Sequence, residues 1–89
     1  GFLPHKKGRQ TALKFVAGSW VPVVLFESTH RIMRLLHELV AHVPDRKVTL
    51  ARELTKLHEE VLSGLPAEVL SVLEKTPEKQ RGEFVVIVG

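Results

Sequence analysis

Two short apolar runs constrain the fold of this chain more than any other feature. They cover residues 21–26 and 84–88, contain no charged side chain, and are rich in β-branched and aromatic residues. Runs of this kind are typical of strands that are buried on both faces of a sheet. Because amphipathic stretches lie between them, the pattern predicts a layered α/β domain.

Three stretches have the spacing of amphipathic helices. The first covers residues 9–17, and the last begins at Pro66, a residue type that suits the first helical position, and continues to about residue 75. The second is expected to start at an N-cap provided by Ser28 or Thr29. It should end at Val43, because a following proline disfavours helical geometry.

Length and composition indicate one small domain. The chain has 89 residues, of which 44% are hydrophobic and 26% charged, and this balance excludes a disordered tail. It has no cysteine, no visible signal peptide and no apolar run approaching the roughly 20 residues of a membrane span. We therefore expect a cytoplasmic location and no membrane partner. The formal charge of +3 allows a nucleic-acid partner without demanding one.

The start of the chain suggests that it continues a longer polypeptide. It begins Gly-Phe-Leu-Pro, without a methionine, and the apolar residues before Pro4 have nothing upstream to pack against. We therefore expect residues 1–89 to be a single domain cut from a larger protein.

The densest polar chemistry lies in residues 51–60, Ala-Arg-Glu-Leu-Thr-Lys-Leu-His-Glu-Glu. Within residues 53–62, leucine and valine recur at helical spacing, which favours an amphipathic helix with a solvated charged face. The alternative is a strand over residues 48–52, a polar connection over 53–58 and a second strand over 59–63. Periodicity alone leaves both alternatives open.

Other polar features admit a functional and a simpler interpretation. Residues 27–31, Glu-Ser-Thr-His-Arg, follow an apolar run and open a helix, where an anion could bind, although ordinary helix capping explains them too.

The basic loop at residues 5–9 could contact a nucleic-acid backbone, but short basic loops are usually only solvated. Trp20 is the sole tryptophan, and one aromatic residue does not make a base-stacking platform. No histidine pair has i, i+4 spacing, so no metal site is expected.

Four fragments, taken together in order and spacing, resemble a known family. They are residues 1–4, 25–31, 51–60 and 81–85, and the run Ala-Arg-Glu-Leu-Thr-Lys is the most specific part. The chain resembles the C-terminal half of the 16S rRNA (cytidine-2′-O)-methyltransferases, which belong to the tetrapyrrole (corrin/porphyrin) methylase superfamily. One departure is Thr29, where the family usually has proline.

The resemblance implies a fold. It implies the C-terminal domain of a two-domain α/β protein, with a mixed five-stranded sheet, about three helices, and residues 1–3 as the stub of the first strand. It also favours strand, loop and strand over a helix for residues 48–63. The family binds S-adenosylmethionine between its domains, and the N-terminal domain that holds most of this cofactor is absent from the chain.

The resemblance also implies an activity, with small-subunit rRNA as the partner and a homodimer as the full-length enzyme. The activity is methylation of a cytidine ribose 2′-hydroxyl, and the isolated fragment should be inactive. We expect Glu53, Lys56 and Glu59 to be catalytic, with Lys56 and Arg52 contacting phosphate and Glu53 or Glu59 orienting groups or moving a proton. Further cleft residues are expected to be Glu27, Ser28, His30 and Arg31. The alternatives are a corrin or porphyrin methylase domain and a non-catalytic binding or dimerisation module.

Overall fold

The computed structural model describes residues 1–55 and 58–89, with side chains described outside residues 54–58. Three helices, α1 (Arg9–Gly18), α2 (Ile32–His42) and α3 (Pro66–Lys75), alternate with four strands. The strands are β1 (Val23–Ser28), β2 (Val48–Thr55), β3 (His58–Gly64) and β4 (Glu83–Val88), and a 3-10 turn covers Pro77–Gln80. Within the described residues, none of the helices has the length and apolar character needed to cross a bilayer.

The strands form one antiparallel sheet in the order β1-β4-β2-β3. The prediction of a mixed five-stranded sheet is therefore not confirmed for the described residues. The segment predicted as a first strand contributes one parallel bridge, between Phe2 and Phe26, in which the Phe26 amide donates to the Gly1 carbonyl at 3.1 Å. Pro4 follows directly and has no N–H to extend the ladder, so the pairing stops there.

The helices cover one face of the sheet. Alternate residues of the strands point toward them, and Leu25, Val48, Leu50 and Val86 are almost completely buried there. On the opposite face, Val24 and Phe26 remain 43% and 40% exposed. The prediction that residues 21–26 are buried on both faces is therefore wrong, because the described part of the chain supplies only one layer of helices.

The ambiguous polar segment forms strands. β2 and β3 pair with Ala51 facing Val61, and β2 pairs on its other side with β4. The helix favoured by the leucine spacing is therefore wrong, and the strand–connection–strand alternative suggested by the resemblance is confirmed. Both strands extend further than predicted, to Thr55 and from His58, while residues 56–57 lie outside the described chain. Tertiary pairing overrides the local spacing here, since β2 lies between two strands of the sheet.

Helix α2 starts later than predicted. Its N-cap is Arg31, which makes no side-chain capping bond, and the Arg31 amide donates to the Ser28 carbonyl at 3.1 Å in the preceding turn. The expectation that Ser28 or Thr29 caps the helix is therefore wrong. Helix α3 starts at Pro66 as predicted, and the carboxylate of Glu68 accepts a 2.9 Å bond from the Leu65 amide.

One residue of the predicted basic loop belongs to the core. The Arg9 side chain is 1% exposed, and its Nε donates to both carboxylate oxygens of Glu38, at 3.0 and 2.9 Å. Its Nη1 donates to the Pro4 carbonyl at 2.9 Å. The hydrogen bond with Glu38 raises the pKa of the Arg9 guanidinium. Arg9 therefore joins the N-terminal loop to α2 and is not a free surface cation.

Gly82 occupies a position that other residues cannot adopt without strain. Its φ is +116°, and a Cβ there would lie 2.6 Å from the Glu53 carbonyl oxygen. A contact that short does not occur between relaxed atoms, and the backbone conformation itself disfavours L side chains. Glycine is therefore required where the turn before β4 approaches β2.

We predict that Gly82→Ala lowers the free energy of unfolding by about 2–4 kcal/mol. Urea denaturation of the purified chain measures this. The matched control is Gly18→Ala, since a Cβ at Gly18 would have no atom within 4 Å. The control should change stability by about 1 kcal/mol or less, and equal losses in the two variants would contradict the assignment.

Candidate functional site

Polar residues from distant segments meet at one end of the sheet. In the strand registers, Arg52 lies between Phe84 and Glu60, and Glu53 lies between Glu83 and Glu59. The end of β1 pairs with the start of β4, which brings the predicted residues of both segments to the same end. This polar end of the sheet consists of Glu27, Ser28, Arg52, Glu53, Glu59, Glu60 and Glu83.

The outer side of the polar end is an acidic row. Glu83, Glu53 and Glu59 are consecutive partners on β4, β2 and β3, and all three are exposed. Like charges directly opposite each other across strands oppose folding. The outer acidic row is therefore an arrangement that packing does not require, and its carboxylates are accessible to a ligand.

The inner side of the polar end is organised by Arg52, which is 7% exposed. Its Nη1 donates to the carbonyls of Glu78 and Arg81, at 3.0 and 3.1 Å, and its Nη2 donates to the Glu60 carboxylate. The guanidinium thus joins β2 to β3 and to the segment between α3 and β4. A phosphate contact by Arg52 stays a prediction, and it would compete with these internal partners.

Glu60 joins two cations. Its Oε1 accepts a 2.8 Å bond from Lys79 Nζ, and its Oε2 accepts from Arg52. The hydrogen bond from Lys79, followed by that from Arg52, lowers the pKa of the Glu60 carboxyl. Glu60 is therefore held as a carboxylate, and it faces its partners inside the domain instead of joining the outer acidic row.

The segment after β1 contributes a buried carboxylate. Glu27 is 4% exposed, and its Oε1 accepts bonds from the Ser28 amide at 2.9 Å and from Arg31 Nε at 3.2 Å. Within the described part of the chain, the buried Ser28 hydroxyl has no hydrogen-bond partner. Buried polar groups are usually paired, so the Ser28 hydroxyl is an exception that the fold of the described residues leaves unsatisfied. His30 is exposed in the turn between them.

A threonine hydroxyl fixes the turn before β4. Thr29 Oγ1 donates to the Gly82 carbonyl at 2.8 Å and accepts from the Gly82 amide at 2.9 Å. The resemblance marked Thr29 as a departure from proline, and a proline could make neither bond. Thr29 therefore joins the segment after β1 to the turn before β4.

The structure thus brings together most of the residues predicted from the sequence. Glu27, Ser28 and Arg31 lie at the end of β1, and Arg52, Glu53 and Glu59 lie on the neighbouring strands, whereas Lys56 falls outside the described residues. Sequence reasoning missed Glu60, Glu83, Lys79 and the Thr29–Gly82 pair. Glu83 could have been predicted only from its outward position at the start of β4. No local sequence signal predicts the roles of Glu60, Lys79 or the Thr29–Gly82 pair.

The polar end is an open surface. Across residues 1–55 and 58–89 no enclosed pocket forms, and no group of three or more histidine or acidic side chains is arranged to hold a metal ion. A small ligand at this end would therefore need further walls from another domain or chain.

Comparison with known proteins identifies relatives over the whole chain. No family model matches it. The chain is 44% identical over 90 residues, 99% of its length, to ribosomal RNA small subunit methyltransferase I of Coprothermobacter proteolyticus. It is 39% identical over 89 residues to the protein of the same name from Thermotoga maritima, and 45% identical over 90 residues to that from Streptococcus pyogenes serotype M1.

This similarity places the domain in the class of ribosomal RNA methyltransferase sequences. The chain is homologous over its whole length to part of the proteins named ribosomal RNA small subunit methyltransferase I. It spans 38%, 39% and 31% of the length of these three relatives.

We predict that Glu60→Gln destabilises the chain in a pH-dependent way. A depressed carboxyl pKa contributes stability above the ordinary value of 4.5, and this contribution is lost as the pH falls through the lowered pKa. The stability gap between the wild type and Glu60→Gln should therefore be largest near neutral pH and close in acid.

Chemical denaturation between neutral and acidic pH measures this gap, with Glu74→Gln as the control. Glu74 is exposed on α3 and forms no ion pair with the described residues. Added salt should also narrow the Glu60 gap, because the pair is partly exposed. A gap that stays constant with pH would show that the negative charge of Glu60 does not stabilise the fold.

Proposed function

We propose that the chain is the C-terminal domain of a longer, S-adenosylmethionine-dependent methyltransferase. Its substrate would be the ribose 2′-hydroxyl of a cytidine in small-subunit rRNA, which also implies a cytoplasmic location. The observation that carries the proposal is the similarity over the whole chain to relatives named for small-subunit rRNA methylation. These names favour an RNA substrate over the corrin or porphyrin that the superfamily resemblance also allowed.

The polar end supports a role at a cleft. Glu53 and Glu59 lie on the open side of the sheet, whereas Glu60 lies on the helix side, where it pairs with Arg52 and Lys79. The inner groups hold the strands in register, so that the outer carboxylates keep a fixed position. Positioned groups of this kind are what an in-line transfer between two bound molecules requires.

Most of the cofactor site would lie in the remainder of the longer polypeptide. S-adenosylmethionine is a flexible, charged molecule that needs an enclosing pocket, and the described residues enclose none. When bound, the cofactor supplies the methyl group. For this chain we propose only one wall of the site, formed by the polar end.

The chain's own residues would act on the acceptor hydroxyl. In this proposal, Glu53 or Glu59 accepts a hydrogen bond from the 2′-hydroxyl and takes its proton, while Lys56 contacts a neighbouring phosphate. Arg31, which is 35% exposed and held by the buried Glu27, would orient the nucleotide, with the buried Ser28 beside this pair. The exposed His30 could add a further phosphate contact.

The site assignment is tested in the longer polypeptide. Methyl transfer to purified small ribosomal subunits is measured for Glu53→Gln, Glu59→Gln and Lys56→Ala, with Glu74→Gln as the control for loss of one exposed acid. Loss of the proton acceptor should lower kcat by about 10²-fold or more. Unchanged rates in all three variants would refute the site, and no transfer by the wild type would refute the function.

We also propose that the longer polypeptide is a homodimer, and the open face of the sheet supports this. Phe2, Val24, Phe26 and Val61 are 75%, 43%, 40% and 62% exposed on that face. An apolar surface of this kind usually marks an interface. Lys47 directly precedes β2 and Glu53 lies toward the other end of that strand, so two antiparallel copies related by a twofold axis would place opposite charges together.

We predict that Val61→Asp weakens dimerisation of the longer polypeptide about tenfold or more, because it buries a charge in the proposed interface. The matched control is Val72→Asp, since Val72 is 38% exposed on α3, in the helix layer. Sedimentation velocity across a concentration series gives the dissociation constants. A monomeric wild type, or equal effects of the two variants, would exclude this interface.

A further inference from the structure

The positive charge of the chain is concentrated in its first part. Residues 1–26 contain Lys6, Lys7, Arg9 and Lys14 and no acidic residue, whereas residues 27–89 contain nine basic and ten acidic residues. The formal charge is therefore +4 in the first part and −1 in the rest, which together give the overall +3. Such asymmetry indicates a surface for an anionic partner.

Three of these four cations are available at the surface. Arg9 is buried against Glu38, but Lys6, Lys7 and Lys14 are exposed and form no ion pair with the described residues. The first two precede α1 and Lys14 lies within it. Their charges therefore remain free to attract an anion.

The same helix exposes an aromatic side chain beside a lysine. α1 buries Arg9, Leu13 and Val16 on one side. Lys14 and Phe15 point away from that side, and Phe15 is 73% exposed. Trp20, just beyond the end of α1, is 92% exposed. Two large aromatic side chains in water have no role in packing this domain.

We propose that Lys6, Lys7, Lys14, Phe15 and Trp20 form a basic–aromatic strip that binds single-stranded RNA. Lysines neutralise phosphates, and exposed aromatic rings stack on unpaired bases, so the combination fits a single strand better than a duplex or an apolar protein surface. The helix between the lysine pair and Trp20 is about 15 Å long, enough for several nucleotides. The inference deepens the proposed function, on which it rests, by naming where the RNA substrate is held.

The aromatic end of the strip, at Trp20, lies away from the polar end. Trp20 precedes the start of β1, and Ser28 ends that strand, which places the two about 20 Å apart along it. Base stacking at this end of the strip therefore does not involve the reacting hydroxyl. Its loss should raise KM for the rRNA substrate and leave kcat nearly unchanged.

The sole tryptophan reports binding directly. Titration of the full 89-residue chain with a single-stranded oligoribonucleotide of about 12 nucleotides should quench the Trp20 fluorescence through stacking. The affinity should fall with salt, with a slope of log K against log salt of about −2 if three phosphates are neutralised. Absence of both quenching and binding would overturn the proposal.

Matched variants distinguish RNA binding by the strip from RNA binding that depends only on the overall positive charge of the chain. Lys14→Gln should lower the magnitude of the salt slope by about 0.7, whereas Lys75→Gln, at an exposed lysine of α3, should not change it. Phe15→Ala should weaken binding about tenfold, and Val72→Ala should leave it unchanged. Equal effects of the test and control variants would refute the proposal that the strip binds RNA. Self-association that Trp20→Ala removes, without any RNA binding, would mean a protein interface and would also overturn it.

Steady-state kinetics of the longer polypeptide distinguishes this inference from the proposed function. If methyl transfer occurs and Phe15→Ala changes neither KM nor kcat, the proposed role of the strip in RNA binding is wrong and the proposed methyltransferase function stands. If the strip binds RNA but no methyl transfer occurs, the function is wrong and the RNA-binding surface stands.

Discussion

The polar end of this domain depends on the buried guanidinium of Arg52. Its bonds to Glu60 and to the carbonyls of Glu78 and Arg81 connect β2, β3 and the segment after α3. With that segment fixed, Gly82 can approach the backbone of Glu53 and pair with the Thr29 hydroxyl. Removing the guanidinium would leave the carbonyls of Glu78 and Arg81 without this donor and Glu60 with Lys79 alone, and unmade bonds of this kind are costly. Arg52 therefore fixes β2, β3 and the segment before β4 relative to one another at this end of the sheet.

Alternation along the strands divides the polar residues into two groups. Inward residues such as Glu27 and Arg52 are buried and satisfied by internal partners, so they support the architecture. The outward residues Glu53, Glu59 and Glu83 repel each other and contact solvent. A one-residue shift in register would exchange the two groups. The pairing of β2 with its neighbours thus decides which of the predicted residues can meet a substrate.

The domain leaves two large surfaces without partners among the described residues. One is the apolar outer face of the sheet, and the other is the basic–aromatic strip around α1. The chain spans less than half of the length of the relatives named above. Surfaces of opposite character at different places suggest separate tasks, with the apolar face suited to another protein surface and the charged strip suited to RNA.

Local sequence was sufficient to predict the α/β class, the three helices and the segments that carry the candidate site, because helical spacing, apolar runs and proline positions act over a few residues. It was not sufficient for residues 53–62, where leucine spacing favoured a helix and the flanking strands imposed a strand. The four-strand order, the burial of Arg9 against Glu38 and the Thr29–Gly82 pair also required the tertiary structure. These contacts join residues 29 and 53 positions apart. The sequence by itself determined which elements form and which polar residues are present, whereas only the tertiary structure decided which of those residues are buried and which face solvent.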